Sequence, residues 1–173
     1  MVVAVAASTL AARTRLQTQA ARREARTTAE LYAFSRKIAG VMDLYDLLWI
    51  VVTHLARLLG AEVVILMPHD AQADGRLDLR AGFPPGGELS DADLAAARWS
   101  WQADRPTGRG TDTLPGGRWL FVPIRTVRSP IGVIGILPTR EGHVLTPSEH
   151  RLLDAVGNQA AVAVERLTLA EDI

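Results

Sequence analysis

The pattern of apolar and polar positions is clearest between Gly117 and Leu137, GRWLFVPIRTVRSPIGVIGIL. Two runs rich in Val, Ile, Leu and aromatic residues, Trp119 to Arg125 and Ile131 to Leu137, flank a loop over Thr126 to Pro130. Such residues favour the pleated, buried surface of a strand. The pattern therefore predicts a β-hairpin at the centre of an antiparallel sheet.

Glycine and proline residues inside this hairpin restrict how it can pack. Gly132 and Gly135 remove side chains from the second strand, which predicts that a neighbour packs close to the backbone there. Pro123 has no backbone N–H, so the first strand must be bulged or unpaired at that position.

A second hairpin is predicted upstream of the first. Glu62 to Pro68 contains the apolar run VVILM, and Arg76 to Ala81, RLDLRA, alternates strictly between polar and apolar residues. The polar segment Asp70 to Gly75 between them reads as a turn. The alternation indicates that the second strand of this pair is half exposed.

Four helices are predicted from helical spacing and from start and stop signals. No Gly or Pro interrupts residues Ser8 to Ala39, and Gly40 ends that helix. A second helix runs from an Asp43 cap to Gly60, and a third from the Ser90 cap to about Ala103. The last starts at Thr146, where Pro147 and Glu149 complete a capping box.

This order of elements predicts an α+β fold. The short turns between neighbouring strands favour a central antiparallel sheet. We expect the N- and C-terminal helices to cover one face together. The insert from Gly82 to Gly117, a loop with one helix, is expected to cover the other face. Within the insert, Asp104 to Gly117 is predicted to lack regular structure because it is rich in Gly and Pro.

The N-terminal segment resembles the end of a membrane span. Residues 1–12, MVVAVAASTLAA, are apolar but shorter than the ~20 residues that cross a bilayer. An arginine cluster follows them, which is typical of the cytoplasmic end of a transmembrane helix: Arg13, Arg15, Arg22, Arg23 and Arg26. We therefore predict a transmembrane end at 1–12, a linker helix at 13–39 and a globular domain at 40–173. A helix that is simply Ala-rich in its first turns is the alternative.

Long, weakly amphipathic helices tend to pair with a second copy of themselves. We therefore predict a homodimer through the terminal helices, with packing of the N-terminal helix on its own domain as the alternative. The candidate dimer residues are Leu16, Leu31, Phe34 and Ile38 on the first helix and Val156, Ala160, Ala163 and Leu167 on the last.

Composition narrows the possible functions. Of the 173 residues, 48% are apolar and 22% are charged. This apolar fraction is large enough to build a hydrophobic core. A formal net charge of zero argues against a nucleic-acid partner. The sequence contains no cysteine, which excludes disulfides, thiol catalysis, cysteine-ligated zinc and thioether-linked chromophores.

Catalytic signals are weak in this sequence. The four histidines, His54, His69, His143 and His150, have no metal-ligand spacing, and neither a P-loop nor a G-x-G-x-x-G motif occurs. His150 is preceded by Glu149, an order unlike that around a phosphoacceptor histidine. No catalytic residue, metal or cofactor is predicted.

The segment from Arg105 to Arg118 is the best candidate for ligand binding. Arg side chains and hydroxyl groups lie there beside aromatic residues, a combination that suits a small-ligand pocket. The alternative is structural: Arg109 and Asp112 pair with each other and peg the loop onto the sheet. The candidate residues are Trp99, Trp101, Arg105, Arg109, Thr111, Asp112, Thr113, Arg118 and Trp119.

Two sets of motifs resemble a known family. The strand ending GVIGIL and the closing helix RLLDAVGNQAAVAVER resemble a GAF domain. LYAFSRKIA at 31–39 and GRGTDTLPGGRWLFVPI at 108–124 resemble the KdpD family of potassium-responsive sensor histidine kinases. The bilin-binding cysteine of some GAF domains is absent, so the resemblance does not identify a ligand.

The resemblance implies a cytoplasmic domain at the bacterial inner membrane, within a multi-pass kinase of a two-component system. Its partners would be a second copy, the rest of the parent kinase and, indirectly, the response regulator KdpE, which controls a potassium-pump operon. The phosphoacceptor histidine and ATPase domain are outside this chain, so it would have no kinase activity. Two hypotheses stay open, a non-catalytic signal relay and a receptor with a true ligand pocket.

Overall fold

The computed structural model describes residues 2–69 and 75–171, with side chains through residue 169. The predicted turn at Asp70 to Gly75 lies outside the described residues except for Gly75. The chain divides into two compact units, Met1–Arg36 and Lys37–Ile173. Each unit is described below by itself.

Helix α1, Val2–Ala39, forms the whole of the described first unit and ends in the second. The predicted helix is confirmed and begins six residues earlier than Ser8, at Val2. No helix in the described part of the chain is both long and apolar enough to cross a bilayer. The assignment of residues 1–12 to the end of a membrane span stays a prediction.

The second unit contains a five-stranded antiparallel sheet with the order β2-β1-β5-β4-β3. The strands are β1 (Ala61–Pro68), β2 (Leu77–Phe83), β3 (Thr107–Gly108), β4 (Leu120–Arg125) and β5 (Pro130–Pro138). Strand β5 is central and pairs with β1 and β4, which confirms the predicted hairpin.

Strand β3 corrects one prediction, because it lies in the segment Asp104 to Gly117, which was expected to lack regular structure. Gly108 pairs with Leu120 and has a φ of +93°. A Cβ atom at Gly108 would lie 2.0 Å from the carbonyl oxygen of Trp119. The short strand therefore depends on a backbone approach that only glycine permits.

The glycine and proline positions of the central hairpin behave largely as expected. A Cβ atom at Gly132 would lie 2.6 Å from the carbonyl oxygen of Leu66, and one at Gly135 would lie 2.7 Å from Cγ2 of Val64. Pro123 faces Val133 on the β5 side, while β3 pairs only with Leu120 and Phe121. Pro123 thus lacks a strand partner only on the side of β3. The irregularity in the pairing of β4 with β5 falls between Ile124 and Arg125.

Helices α2 (Leu44–Leu59) and α4 (Pro147–Glu171) pack against each other and cover one face of the sheet. The side chain of Asp43 caps α2 by accepting from the N–H of Asp46, and Gly60 closes it with a left-handed φ of 57°. Helix α4 begins with the predicted capping box between Thr146 and Glu149.

Helix α3 (Asp91–Ala103) covers the opposite face and starts at a complete capping box between Ser90 and Asp93. Its Ala97 packs with residues of four strands, Val64, Leu66, Leu77, Phe121 and Val133, and with Trp119. Because neighbouring residues of a strand point to opposite faces, Ile134 instead lies against Gly157 of α4. The predicted α+β architecture, with helices on both faces, is confirmed.

Candidate functional site

The sheet face beneath α3 is filled by the protein's own aromatic side chains. Trp119 and Phe121 are 3% and 1% exposed, and their rings stack with centroids 6.1 Å apart. Ala97 of α3 is completely buried against the same cluster. Trp119, predicted to contact a ligand, is therefore part of the hydrophobic core.

The loop that follows β3 is closed by the hydroxyl group of Thr111. This hydroxyl donates to the carbonyl oxygens of Gly108 and Thr113, both at 2.8 Å, and accepts from the N–H of Thr113 at 3.2 Å. The N–H of Gly108 also donates to the carbonyl oxygen of Thr113 at 2.8 Å. Thr111 and Thr113 are thus brought together, and these polar groups form hydrogen bonds within the loop.

The charged side chains of this loop do not fix it in place. The backbone N–H of Arg109 donates to the carbonyl oxygen of Trp119 at 2.9 Å, and the Arg109 side chain is half buried. Arg105, Asp112 and Arg118 are exposed. Throughout residues 2–69 and 75–169, no ion pair involves Arg109 or Asp112. Backbone groups and Thr111 hold the loop to the sheet, and ligand contact by the predicted residues stays a prediction.

Trp101 of α3 lies away from the Thr111 loop. The Nε1–H of Trp101 donates to the carbonyl oxygen of Pro130 at 3.0 Å, at the start of β5. The Thr111 loop is attached at the other end of the hairpin, beside Trp119 and Leu120. Trp99 is exposed. The nine predicted residues therefore do not converge on one point.

Several residues that fasten α3 to the sheet were missed in the sequence. The Oγ of buried Ser100 donates to the carbonyl oxygens of Arg105 at 2.7 Å and Phe121 at 3.3 Å. Nearby, the Oγ1 of Thr107 donates to the carbonyl oxygen of Ala96 at 3.1 Å. A lone Ser or Thr gives no periodic signal, so only the folded arrangement identifies these contacts.

An open groove of about 690 Å³ lies at the turn of the central hairpin, and we call it the hairpin groove. Trp101 is the member of the predicted ligand set that lines it. Its apolar walls include Met67, Ile131, Val164 and Leu169, and polar groups come from Asp104, Glu165 and Thr168. The Nε–H of Arg125 donates to Asp104 at 2.6 Å, which fixes this carboxylate beside the groove.

The predicted dimer residues fall into two groups. Leu16 is 66% exposed and Leu31 is half buried, while Phe34 and Ile38 are buried. On α4, the predicted residues are all buried within the single chain: Val156, Ala160, Ala163 and Leu167. The large apolar side chains that α4 leaves exposed are Val162 and Leu169. The dimer contact itself stays a prediction.

Two carboxylates interact with histidines. Burial raises the pKa of Glu149, but hydrogen bonds from Thr146 and the nearby His143 outweigh this and hold the pKa below its ordinary value of 4.5. His143 Nε2 lies 3.3 Å from Oε2 of Glu149. A hydrogen bond with His69 lowers the pKa of Asp78 on β2. Both pairs lie at element ends, where they stabilise a helix start and a hairpin. No cluster of metal-ligating residues is present in the described ranges.

The sheet order and the helices on its two faces are those of the GAF fold. A GAF-domain family model matches residues 43–166, which is more than half of the chain. The chain therefore belongs to the GAF-domain family.

The similar proteins include potassium-sensor kinases. The chain is 30% identical over 98% of its length to Sensor protein KdpD of Escherichia coli (strain K12), and 24% identical over 99% to Sensor protein KdpD of Clostridium acetobutylicum. It spans only 18% and 19% of those two proteins.

Solved structures agree with this assignment. The native GAF domain of the potassium sensor histidine kinase KdpD from Escherichia coli superposes with a TM-score of 0.71 at 28% identity, over 84% of this chain and 97% of that one. The GAF domain of an Acinetobacter phosphoenolpyruvate-protein phosphotransferase gives a TM-score of 0.62 at 16% identity, over 82% of this chain and 94% of that one. The second similarity concerns the fold alone.

Proposed function

We propose that this chain is a non-catalytic signal-relay domain of a KdpD-type sensor histidine kinase. The observation that carries this proposal is the 30% identity to Escherichia coli KdpD across 98% of the chain. The packed aromatic core under α3 supports a relay, because a rigid sheet transmits displacement between the helices that pack on it. Neither the Thr111 loop nor the core offers a set of catalytic groups with suitable geometry.

The parent protein would be a multi-pass kinase of the bacterial inner membrane, with this domain on the cytoplasmic face. Residues 1–12 would complete its last membrane span, and residues 13–39 would link the span to the domain. The kinase would act through the response regulator KdpE on a potassium-pump operon. The support is the resemblance to KdpD and the apolar segment that precedes five arginines.

The relay requires that two copies of the domain move together. The exposed apolar side chains of α1 support a dimer, since Leu10 and Leu16 are 69% and 66% exposed in the single chain. Helices that expose such residues gain stability by burying them against a partner helix. On α4, Val162 and Leu169 offer further exposed apolar surface.

Light scattering coupled to size exclusion tests this dimer. We expect the 173-residue chain to elute as a dimer at high concentration, and the Leu10→Gln, Leu16→Gln double variant to shift toward the monomer. Val127→Gln serves as the control, because Val127 is fully exposed in the turn between β4 and β5. A wild-type chain that stays monomeric at every concentration would refute the dimeric relay.

The second candidate function is a small-molecule receptor. The hairpin groove supports it, since its volume of about 690 Å³ suits a small ligand and Trp101 supplies an aromatic wall. A thermal-shift screen with potassium salts, nucleotides and cyclic dinucleotides tests it. A receptor predicts a rise in melting temperature that Trp101→Phe reduces and Trp99→Phe does not, since Trp99 does not line this groove. A screen with no stabilising compound counts against it.

A further inference from the structure

Arg166 of α4 holds the C-terminal end of α1. Its guanidinium donates to the carbonyl oxygen of Ala39 at 2.7 Å, of Val41 at 2.9 Å and of Ile38 at 3.3 Å. All of these residues belong to the second unit of the chain. The bonds join segments more than 120 residues apart in sequence.

The carbonyls of Ile38 and Ala39 need donors because the end of a helix leaves its last four carbonyls without intrahelical partners, whereas Val41 lies just beyond α1. Helix α2 solves this locally, since Gly60 turns left-handed and its N–H donates to the carbonyl oxygen of Ala56. Gly40 follows α1, but it is not among the described residues with positive φ. At the end of α1 the N–H of Val41 donates to the carbonyl oxygen of Ile38 at 3.3 Å, and Arg166 adds side-chain donors to the carbonyls of Ile38 and Ala39.

The guanidinium of Arg166 is committed to these carbonyls. In the described part of the chain it forms no ion pair with a carboxylate. Arginine presents its donors in a rigid planar fork, so their bonds to carbonyls depend on the orientation of the helix end. Rotation or translation of Ile38 and Ala39 would break some of these bonds or draw α4 along.

We propose that Arg166 is the positioning residue that couples the end of the entering helix α1 to the output helix α4. This inference rests on the proposed relay function and names the contact through which displacement passes. Helix α1 is continuous from Val2 to Ala39, so a rotation produced upstream reaches the carbonyls that Arg166 binds. Without Arg166, the carbonyls at the end of α1 would lose their hydrogen bonds to α4.

Hydrogen exchange measured by mass spectrometry on the full 173-residue chain tests the contact. Arg166→Met should speed the exchange of amides at 38–44 by about fivefold, the effect of losing about 1 kcal/mol of hydrogen bonding. Arg166→Lys should give a smaller effect, because an ammonium keeps the charge without the planar fork. Arg151→Met is the control, since Arg151 lies on the same helix and donates to Ser148 instead.

A second substitution separates coupling from simple stabilisation. Gly40→Ala stiffens the chain just after α1, and a Cβ atom there meets nothing within 4 Å. With Arg166 present, we expect Gly40→Ala to slow exchange at residues 162–169 of α4. With Arg166→Met, Gly40→Ala should leave α4 unchanged. An equal effect of Gly40→Ala in both backgrounds would overturn the coupling role, as would Arg166→Met behaving like Arg151→Met.

The relay and the coupling contact can fail separately. The oligomeric state of each variant is measured beside its exchange. A dimer whose α4 is insensitive to Arg166 would eliminate this contact and leave the relay intact. A strict monomer would refute the dimeric relay whatever the exchange shows.

Discussion

The C-terminal ends of α3 and α4 are held in place by different kinds of contact. The C-terminal part of α3 is fixed to the sheet by buried Ser100, by Thr107 and by Trp101, and it lies over a packed aromatic cluster. The C-terminal part of α4 is connected to the end of α1 by one exposed arginine, Arg166. Buried, satisfied contacts resist displacement, while an exposed fork of hydrogen bonds can exchange partners with water. The difference indicates a rigid α3 side and, between α1 and α4, a connection whose hydrogen bonds come from one side chain.

The largest effect is expected from removing the aromatic core of the α3 side. Phe121→Ala should lower the free energy of unfolding by about 3–5 kcal/mol, because it leaves a cavity between α3 and the sheet. Urea denaturation measures the change. Val127→Ala, in the exposed turn, is the control and should change stability by less than ~0.5 kcal/mol. A small loss of stability in Phe121→Ala would mean that the α3 side is loosely packed. The contrast between the α3 side and the connection of α4 to α1 would then fail.

The attachment of the Thr111 loop gives the next largest effect. Gly108→Ala should cost about 2–3 kcal/mol, because its Cβ atom would lie 2.0 Å from the carbonyl oxygen of Trp119 and its φ of +93° disfavours alanine. Gly116→Ala is a matched control in the same loop, with nothing within 4 Å of its Cβ atom. Chemical denaturation measures the free energy of unfolding of both variants. Equal losses of stability would contradict a tight backbone approach at Gly108.

A smaller effect is expected from Ser100. Ser100→Ala removes the donor to the carbonyl oxygens of Arg105 and Phe121, and should cost about 1–2 kcal/mol. Hydrogen exchange should show faster opening at the C-terminal end of α3. Ser129→Ala, at an exposed position in the hairpin turn, is the control. If the two variants exchange alike, Ser100 does not fasten α3.

The smallest effect concerns the start of α4 and depends on pH. The pKa of Glu149 is held below 4.5, so its carboxylate stabilises the fold above that pH and the contribution is lost as pH falls through the lowered value. Glu149→Gln should cost ~0.5–1 kcal/mol at pH 7, the worth of a helix cap. The difference from wild type should shrink toward acid pH in thermal melts.

Glu141→Gln is the control for Glu149, because Glu141 is exposed in the turn before α4. Its stability relative to wild type should be nearly constant across the same pH range. A constant difference for Glu149→Gln as well would show that its carboxylate does not act through the cap.

Most of the fold could be predicted because its signals are local. The apolar runs of β4 and β5, the capping box at Ser90 and the terminal Gly60 each specify a conformation through neighbouring residues. The predicted strands and helices therefore match the observed ones, with shifts at their ends that reach six residues at the start of α1. The exception is β3, whose two residues are too few to carry a periodic pattern.

The candidate site was harder to predict because it depends on distant pairs. Arg109 and Asp112 are close in sequence and opposite in charge, yet Thr111 and backbone groups hold the loop instead. Nothing in the sequence distinguishes Arg166 from the other arginines, since its acceptors are backbone carbonyls more than 120 residues away. Which backbone carbonyls a long side chain reaches is set by the tertiary fold, which the local sequence does not reveal.

The sequence by itself determined the classes of element, the position of the central hairpin and the membership of the GAF family, because these follow from local spacing and from motifs. Tertiary structure alone decided that Trp119 is a core residue, that Trp101 lines the hairpin groove and that Arg166 donates to carbonyls at the end of α1. The physical reason is that burial and long-range hydrogen bonds arise only when the sheet brings separate segments together.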